Sequence, residues 1–373
     1  MNRRALLICI DGCGIEYLQF ATFLKRIIRD GYFVKGSAMV PSVTNVNNVS
    51  IITGVYPERH GITSNYYYDR KTGREIYMES PDFIRAVTIF EICKKMGLRS
   101  ALLTSKDKLR SLLDKGATIS ISAEKPPEWI IKKVGSPPPI YSIDVNIWLF
   151  KVAKEIILKE DPHLIYIVTT DYAMHKYAPE HEESKRHIRG IDQAIQELVE
   201  LYELKGRELL LCVTADHGMS NKEKVVNLEL ILKEHNIHSK MNPIIADRYV
   251  VHHSNLGGAV YIYLKEHKFV HKAIDILEEI EGVEVVLSRR QAAKLFHLDE
   301  ERIGDILVLG EKNYVFGLVD QEVVKVSLRS HGSLHEVEVP IIMNRKISEL
   351  EKLPSENKDL APLVMDWLRR KSN

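Results

Sequence analysis

Apolar and polar positions follow two rhythms along the chain. Continuous apolar runs at 5–10, 164–168 and 209–213 have the length expected of buried strands; 33–40 reads as a further strand, and 100–103 is short and mostly apolar. Between them lie segments of helical period. Residues 86–96 read as a helix that stops at Gly97, a C-terminal signal. Residues 143–159 align Val145, Leu149, Val152 and Ile156 on one face, and 182–204 form a long amphipathic helix. This alternation predicts an α/β fold with a mainly parallel central sheet and helices on both faces.

Two regions interrupt the rhythm. Residues 125–139 carry Pro126, Pro127, Pro137, Pro138 and Pro139, and are expected to be neither regular helix nor central strand. Together with 106–116 they suggest a cap insertion at 105–139. Residues 222–326 carry their own signals, at 259–264, 267–280, 283–287 and 306–309. They predict a smaller α+β subdomain inserted before the last core strand, near 339–343. The core is then built from 1–104, 140–221 and 327–373.

Composition narrows the function classes. With 373 residues and 45% hydrophobic content the chain can bury a substantial core. A formal net charge of +1 gives no reason to expect nucleic acid or an anionic membrane as partner. The cysteines, Cys9, Cys13, Cys93 and Cys212, form no C-x-x-C pair, which suits a reduced, cytoplasmic protein. The opening MNRRALLICIDG has a short apolar run ending at Asp11 without a small-residue cleavage site, and reads as a first strand rather than a leader. No stretch approaches the roughly 18 apolar residues of a spanning helix.

Three of the predicted strands end in metal-type side chains: ICIDG at Asp11, IYIVTTDYAMH at Asp171 and His175, and LLLCVTADHG at Asp216 and His217. In an open parallel sheet these ends share one edge, where ligands bind. His331, in LRSHGSLHEVEVP, is a fourth candidate. Carboxylate and imidazole without thiolate favour zinc or a similar first-row cation. Each residue also has a plainer use: a strand-end Asp is often a helix N-cap. The spacing of Asp171 and His175 fits one helical face or a loop. Thr44, in PSVTNVNNVSIITG, precedes a short predicted helix at 47–53. A helix start suits an oxyanion, and a metal would activate the hydroxyl. As an alternative, Thr44 simply caps that helix.

The ordered set Asp11, Thr44, Asp171/His175, Asp216/His217 and His331 resembles the alkaline phosphatase superfamily, in its nucleotide pyrophosphatase/phosphodiesterase and phosphonoacetate hydrolase branch. The segments TNVNN, GVYPERHGITSN and TADHGM carry the resemblance most specifically. It implies one metal held by Asp171, His175 and His331, the other by Asp11, Asp216, His217 and Thr44, and two zinc ions or another divalent first-row metal as cofactor. His331, followed by glycine, is the implied ligand, with His335 a neighbour. TNVNNVSIITG, HGITSNYYYD and TSKDKLRSLL look most like phosphonoacetate hydrolases, which implies Asn65, Lys106 and Lys108 as substrate-binding groups. Asn65 also fits an ordinary turn, and the lysines a solvated helix start. The activity so implied is hydrolysis of the carbon–phosphorus bond of phosphonoacetate through a phospho-threonine. The alternative is a phosphodiesterase or nucleotide pyrophosphatase with the same metals and nucleophile, with Tyr66, Tyr67 and Tyr68 forming a base slot. A metal-stabilised binding protein is the non-enzymatic alternative. The partner is thus a small anionic phosphonate or phosphate ester, and a homodimer is compatible with this reading.

Overall fold

The computed structural model describes residues 2–247, 254–346 and 353–370. Its central sheet has seven strands: β1 (Arg3–Cys9), β2 (Tyr32–Ser37), β3 (Ser100–Thr104), β4 (Ile119–Ser122), β5 (Leu164–Val168), β6 (Glu208–Thr214) and β7 (Glu338–Met343). They lie in the order β2-β7-β6-β1-β5-β3-β4. From β6 to β4 the strands run parallel, and β7 is antiparallel to both β6 and β2. The result is the α/β architecture that the apolar rhythm predicts.

Successive side chains of a strand point to opposite faces, and here both faces are covered. Leu7, Cys9, Tyr166, Val168, Leu210 and Cys212 pack on one side with the helices Thr44–Thr53, Ile89–Lys95 and Leu360–Arg369. Leu6, Ile8, Ile165, Ile167, Leu211 and Val213 pack on the other, under Asp144–Glu160 and Glu182–Leu204. Burial on both faces is why these strands read as unbroken apolar runs. The parallel direction puts the carboxyl ends of β1, β5, β6 and β3 on one edge, so Asp11, Asp171, Asp216 and Lys106 start from the same side of the sheet.

Several expectations shift. The helix expected at 86–96 occupies Ile89–Lys95, because Thr88 and Glu91 form a reciprocal capping box that fixes its start. The strand expected at 33–40 is Tyr32–Ser37. The helix expected at 47–53 begins earlier, at Thr44. The proline-rich stretch does contain a helix, Glu128–Val134, correcting the expectation at 125–139. It fits between the proline groups, with Pro127 in extended conformation at its N-cap, where no helical N–H is needed. Within 105–139, Ile119–Ser122 pairs with β3, so that part joins the central sheet.

The region expected as a subdomain holds a four-stranded sheet, ordered Ser239–Pro243, Ala259–Leu264, Ile306–Gly310 and Val283–Ser288. A three-stranded sheet connects it to the core: Ser220–Val226 pairs antiparallel with Val323–Ser330 and parallel with Tyr314–Phe316. The expected divisions at 221/222 and 326/327 both fall inside this first pair, which runs straight from the His217 turn and returns at His331. Among the described residues no helix is long and apolar enough to cross a membrane.

Leu7 is fully buried at the centre of the sheet. We expect Leu7→Ala to lower unfolding free energy by about 3 kcal/mol, read as a shift in the urea midpoint at unchanged m-value. A loss below about 1 kcal/mol would mean that this layer can collapse around the cavity.

Candidate active site

The three strand ends and His331 converge. The ligand-type atoms of Asp171, His175 and His331 lie within 4.8 Å of one another, and so do those of Asp11, Asp216 and His217. All six side chains are buried. Asp171 is the N-cap of the short helix Tyr172–Lys176, so its partner at the fourth position, His175, faces it across one turn. His175 Nε2 lies 2.9 Å from Asp171 Oδ2. His331 reaches the site from a different sheet, directly after Val323–Ser330. Its ring stacks on that of His217, with centroids 3.5 Å apart and an interplanar angle of 8°.

Each histidine is oriented by a backbone carbonyl. His175 Nδ1 is 2.7 Å from Arg329 O, His217 Nδ1 is 2.8 Å from Gly218 O, and His331 Nδ1 is 2.7 Å from Ser42 O. A carbonyl only accepts, so Nδ1 carries the proton in all three and Nε2 presents its lone pair. This is the arrangement by which protein backbones prepare imidazole for a metal. Burial pushes the His331 pKa well below its ordinary value, with the neighbouring His217 and His175 acting in the same direction.

The carboxylates are crowded. Burial, and then Asp171 and Asp216, push the Asp11 pKa well up, while Lys106 opposes them. Asp11 Oδ1 is buried and accepts no hydrogen bond from the described residues, although His217 Nε2 is 3.4 Å away. Asp216 is better served: Gly12 N–H and His217 N–H donate to Oδ1 at 3.2 and 3.0 Å, and Asn48 Nδ2 donates to Oδ2 at 3.1 Å. Oxygen and imidazole donors, an unsatisfied buried carboxylate oxygen and three like charges together fit divalent cations.

Thr44 is the first residue of its helix, and Val43 is the N-cap. Its hydroxyl makes no capping bond, so the plain capping role is not what this side chain does. Instead Oγ1 sits 3.3 Å from His217 Nε2, in a half-buried position. The asparagines of this helix make structural hydrogen bonds. Asn47 Oδ1 accepts from Met39 N–H at 2.7 Å. Asn48 Nδ2 donates to Thr44 O at 3.0 Å as well as to Asp216, while Tyr166 O–H donates to Asn48 Oδ1 at 2.6 Å. Asn48 therefore ties the Thr44 turn to the Asp216 carboxylate.

Of the three expected substrate groups, Lys106 adjoins the site: its Nζ is 3.2 Å from Asp171 Oδ1. Burial alone would lower its pKa, but Asp171 and Asp11 outweigh it and the net direction is up. Lys108 pairs with the Asp247 carboxylate. Asn65 Nδ2 donates to Ile245 O at 2.9 Å. Among the described residues no hydrogen bond joins Asn65 to Thr44 or to either carboxylate–imidazole group. His335 pairs with Glu284 at 2.7 Å in a partly exposed position, away from His331's role in the stack.

Some supporting residues carried no local signal. Asn146, on Asp144–Glu160, accepts from Thr170 N–H at 2.9 Å and from Ser105 Oγ at 2.9 Å, so it aligns the turns that bear Asp171 and Lys106. Arg329 is buried and donates to Met174 O at 2.8 Å while its own carbonyl orients His175. His60, within GVYPERHGITSN, accepts from Ile62 N–H through Nδ1 at 3.1 Å, so its Nε2 proton points to Ser50 Oγ at 2.9 Å on the Thr44 helix.

The type I phosphodiesterase/nucleotide pyrophosphatase family model matches residues 5–334. The chain belongs to this family of hydrolases. Among solved structures, phosphonoacetate hydrolase from Sinorhizobium meliloti 1021, crystallised with phosphonoformate, is 35% identical with a TM-score of 0.89, covering 98% of this chain and 96% of that one. Murine ectonucleotide pyrophosphatase/phosphodiesterase 5 shares the fold, with a TM-score of 0.72 at 18% identity over 99% of this chain and 96% of that one. Bis(5'-adenosyl)-triphosphatase ENPP4 from Bos taurus is 27% identical over 61% of this chain and 50% of that protein. The alignment thus spans about half the length of that curated relative. The alkaline phosphatase-like fold of the family is the one that the sequence resemblance implies.

His60 gives a pH signature. Burial, aided by Arg302, lowers its pKa from the ordinary 6.5 to about 3. The unfolded chain therefore takes up a proton between these values that the native chain refuses. The stability contribution of the neutral ring is complete above about pH 6.5 and is lost as pH falls toward 3. We expect His60→Gln to flatten the stability–pH curve between about pH 6 and 4 by close to one proton, measured by urea unfolding. Parallel curves for the two proteins would remove this role.

Proposed function

We propose that this hydrolase binds two divalent cations, preferentially zinc, and cleaves the carbon–phosphorus bond of phosphonoacetate with Thr44 as nucleophile. The observation that carries the reading is the pair of carboxylate–imidazole groups joined by the His217–His331 stack, with the Thr44 hydroxyl 3.3 Å from His217 and Lys106 beside Asp171. Asp171, His175 and His331 would hold one cation; Asp11, Asp216, His217 and Thr44 Oγ1 the other. When bound, such a pair lowers the pKa of a hydroxyl and offsets charge on the entering and leaving atoms of an in-line displacement.

The chain's own groups do the rest. Thr44 gives its hydroxyl proton to solvent and its Oγ1 forms a bond to phosphorus as the phosphorus–carbon bond breaks, and the electron pair leaves on the acetate fragment as an enolate. A solvent proton converts the enolate to acetate. Water then cleaves the phospho-threonine bond, releasing phosphate and restoring Thr44. Thr44 N–H at the helix start and Asn65 are our candidates for phosphoryl-oxygen donors, with Asn65 having to turn from Ile245 O to the substrate. Lys106 and Lys108 serve as counter-charges to the substrate carboxylate, on which enolate charge builds. For Lys108 this means exchanging Asp247 for the substrate. Support for this substrate is the 35% identity to phosphonoacetate hydrolase over 98% of the chain. The buried thiols of all four cysteines support a cytoplasmic setting.

The curated relatives favour a second reading, a phosphodiesterase acting on nucleotide substrates with the same nucleophile. Tyr67, Tyr68 and Tyr77 are half-buried on the hairpin that would offer an aromatic surface, whereas Tyr66, stacked on Tyr77 at 4.9 Å, is buried. A direct comparison of phosphonoacetate with a nitrophenyl phosphodiester separates the two. We expect the phosphonate to be preferred, and Lys106→Ala to lower kcat/KM for it by about 10²-fold, as loss of a charge contact made in the transition state would. Preference for the diester, with Lys106→Ala at full activity, would overturn the carbon–phosphorus assignment.

Thr44→Ala is expected to keep its bound metal, measured by elemental analysis, and to lose turnover by at least about 10³-fold. Full activity in that variant would remove the nucleophile.

A further inference from the structure

Glu336 is buried and belongs to neither candidate metal group. Four donors surround its carboxylate. Ser220 Oγ donates to Oε1, and Lys222 Nζ is 3.0 Å from the same oxygen. Ser333 N–H and Oγ donate to Oε2 at 3.0 and 2.7 Å. Both side chains of the Lys222–Glu336 pair are inaccessible to solvent. An ion pair taken wholly out of water adds little to stability, because desolvation cancels most of the attraction. A pair so placed calls for another reason, and the connections supply one.

The Ser220 and Lys222 side belongs to the strand that leaves the His217 turn. The Ser333 side belongs to the turn that begins at His331. Glu336 also reaches the His217 turn through its backbone: its carbonyl accepts Gly218 N–H at 2.7 Å, and Gly218 O in turn orients His217 Nδ1. On the other side, Ser333 O accepts from Ser42 Oγ at 2.8 Å, Gly332 N–H donates to the same hydroxyl at 3.1 Å, and Ser42 O orients His331 Nδ1. Ser42 lies two residues before Thr44. One carboxylate thus joins the turns whose imidazoles stack face to face, and adjoins the segment that leads into the nucleophile helix. Lys222, together with both serines, holds the Glu336 pKa below its ordinary value despite burial, so the acceptor stays ionised.

We propose that Glu336 is a positioning residue that sets the register between the two metal groups by clamping the His217 turn to the His331 turn. The inference rests on the two-metal reading above. Loosening the clamp lets the stacked rings separate, so a cation at either group loses part of its preformed cage. Lys222 acts as the counter-charge that keeps the clamp ionised.

The test uses the full chain stripped of metal and titrated with Co2+, followed by visible absorption and calorimetry. We expect the unaltered protein to take up two equivalents. Glu336→Gln keeps the shape of the side chain but not its charge. It should weaken cobalt binding by about tenfold or more, alter the visible spectrum and lower kcat more than it raises KM. Because Lys222 is left without its counter-charge, the thermal midpoint of the metal-free protein should also fall, so the metal readouts and Ser333→Ala carry the test. Ser333→Ala severs one hydroxyl link without stranding a buried charge, and should weaken binding several-fold in the same direction. Unaltered affinity and spectrum in Glu336→Gln would overturn the clamp. If Glu336→Gln does not fold, Ser333→Ala decides: wild-type affinity and spectrum overturn the proposal, and weakened binding by a normally folded protein supports it. No cobalt uptake by the unaltered chain would overturn the two-metal reading and this inference together, whereas normal uptake with insensitive variants removes this inference alone.

Discussion

Three carboxylates, Asp11, Asp171 and Asp216, are buried together at the carboxyl edge of one parallel sheet, and most of the surrounding structure answers to that charge. Like charges taken out of water repel strongly and lose hydration, so a fold that gathers them must provide compensation. The provision is unequal. Asp216 has backbone and amide donors, Asp171 has Lys106, and Asp11 retains a buried oxygen that accepts no hydrogen bond from the described residues. Divalent cations would complete this arrangement chemically, and the imidazoles already present Nε2 to the two candidate groups.

The orientation of those imidazoles is a matter of backbone. Three carbonyls, from Arg329, Gly218 and Ser42, select the same tautomer in three rings. Each carbonyl sits on a segment held by longer-range contacts. Arg329 is anchored on Met174 and Asn221, and Ser42 on Ser333. Asn48 belongs to the same design, since its amide bonds both the Thr44 turn and Asp216. The Thr44 turn and the candidate metal group at Asp216 therefore share a support, and a disturbance at one will be felt at the other.

The architecture delivers these parts from different layers. The central sheet supplies the aspartates and His217, and its covering helix supplies Thr44. The antiparallel pair Ser220–Val226 and Val323–Ser330 extends from the His217 turn and brings His331 back. Without that pair the chain would hold one group and an incomplete second. A division of the chain into core and subdomain at 221/222 and 326/327 misses this, because apolar periodicity marks strands but not which sheet they join.

The sequence by itself determined the runs that become buried parallel strands, the polar residues at their ends, and the order in which Asp11, Thr44, Asp171, His175, Asp216, His217 and His331 occur. These are local properties: hydrophobic runs set burial, and the residue after a run's last buried position lies at the sheet edge. The start of the Thr44 helix was harder to read, because Asn45, Asn47 and Asn48 are weak helix formers whose amides find partners only in the folded chain. The short helix after Asp171 is ambiguous for a different reason: at five residues, Tyr172–Lys176, it is too short to show a helical period. Tertiary structure alone decided that Asp171 and His175 face each other, that His331 stacks on His217 while His335 turns to Glu284, and that Lys108 meets Asp247. It also decided the roles of Asn146, Arg329, Lys222 and Glu336. Each depends on hydrogen bonds or ion pairs between segments far apart in the chain, and such bonds are set by where sheets and turns meet, not by any pattern within a segment.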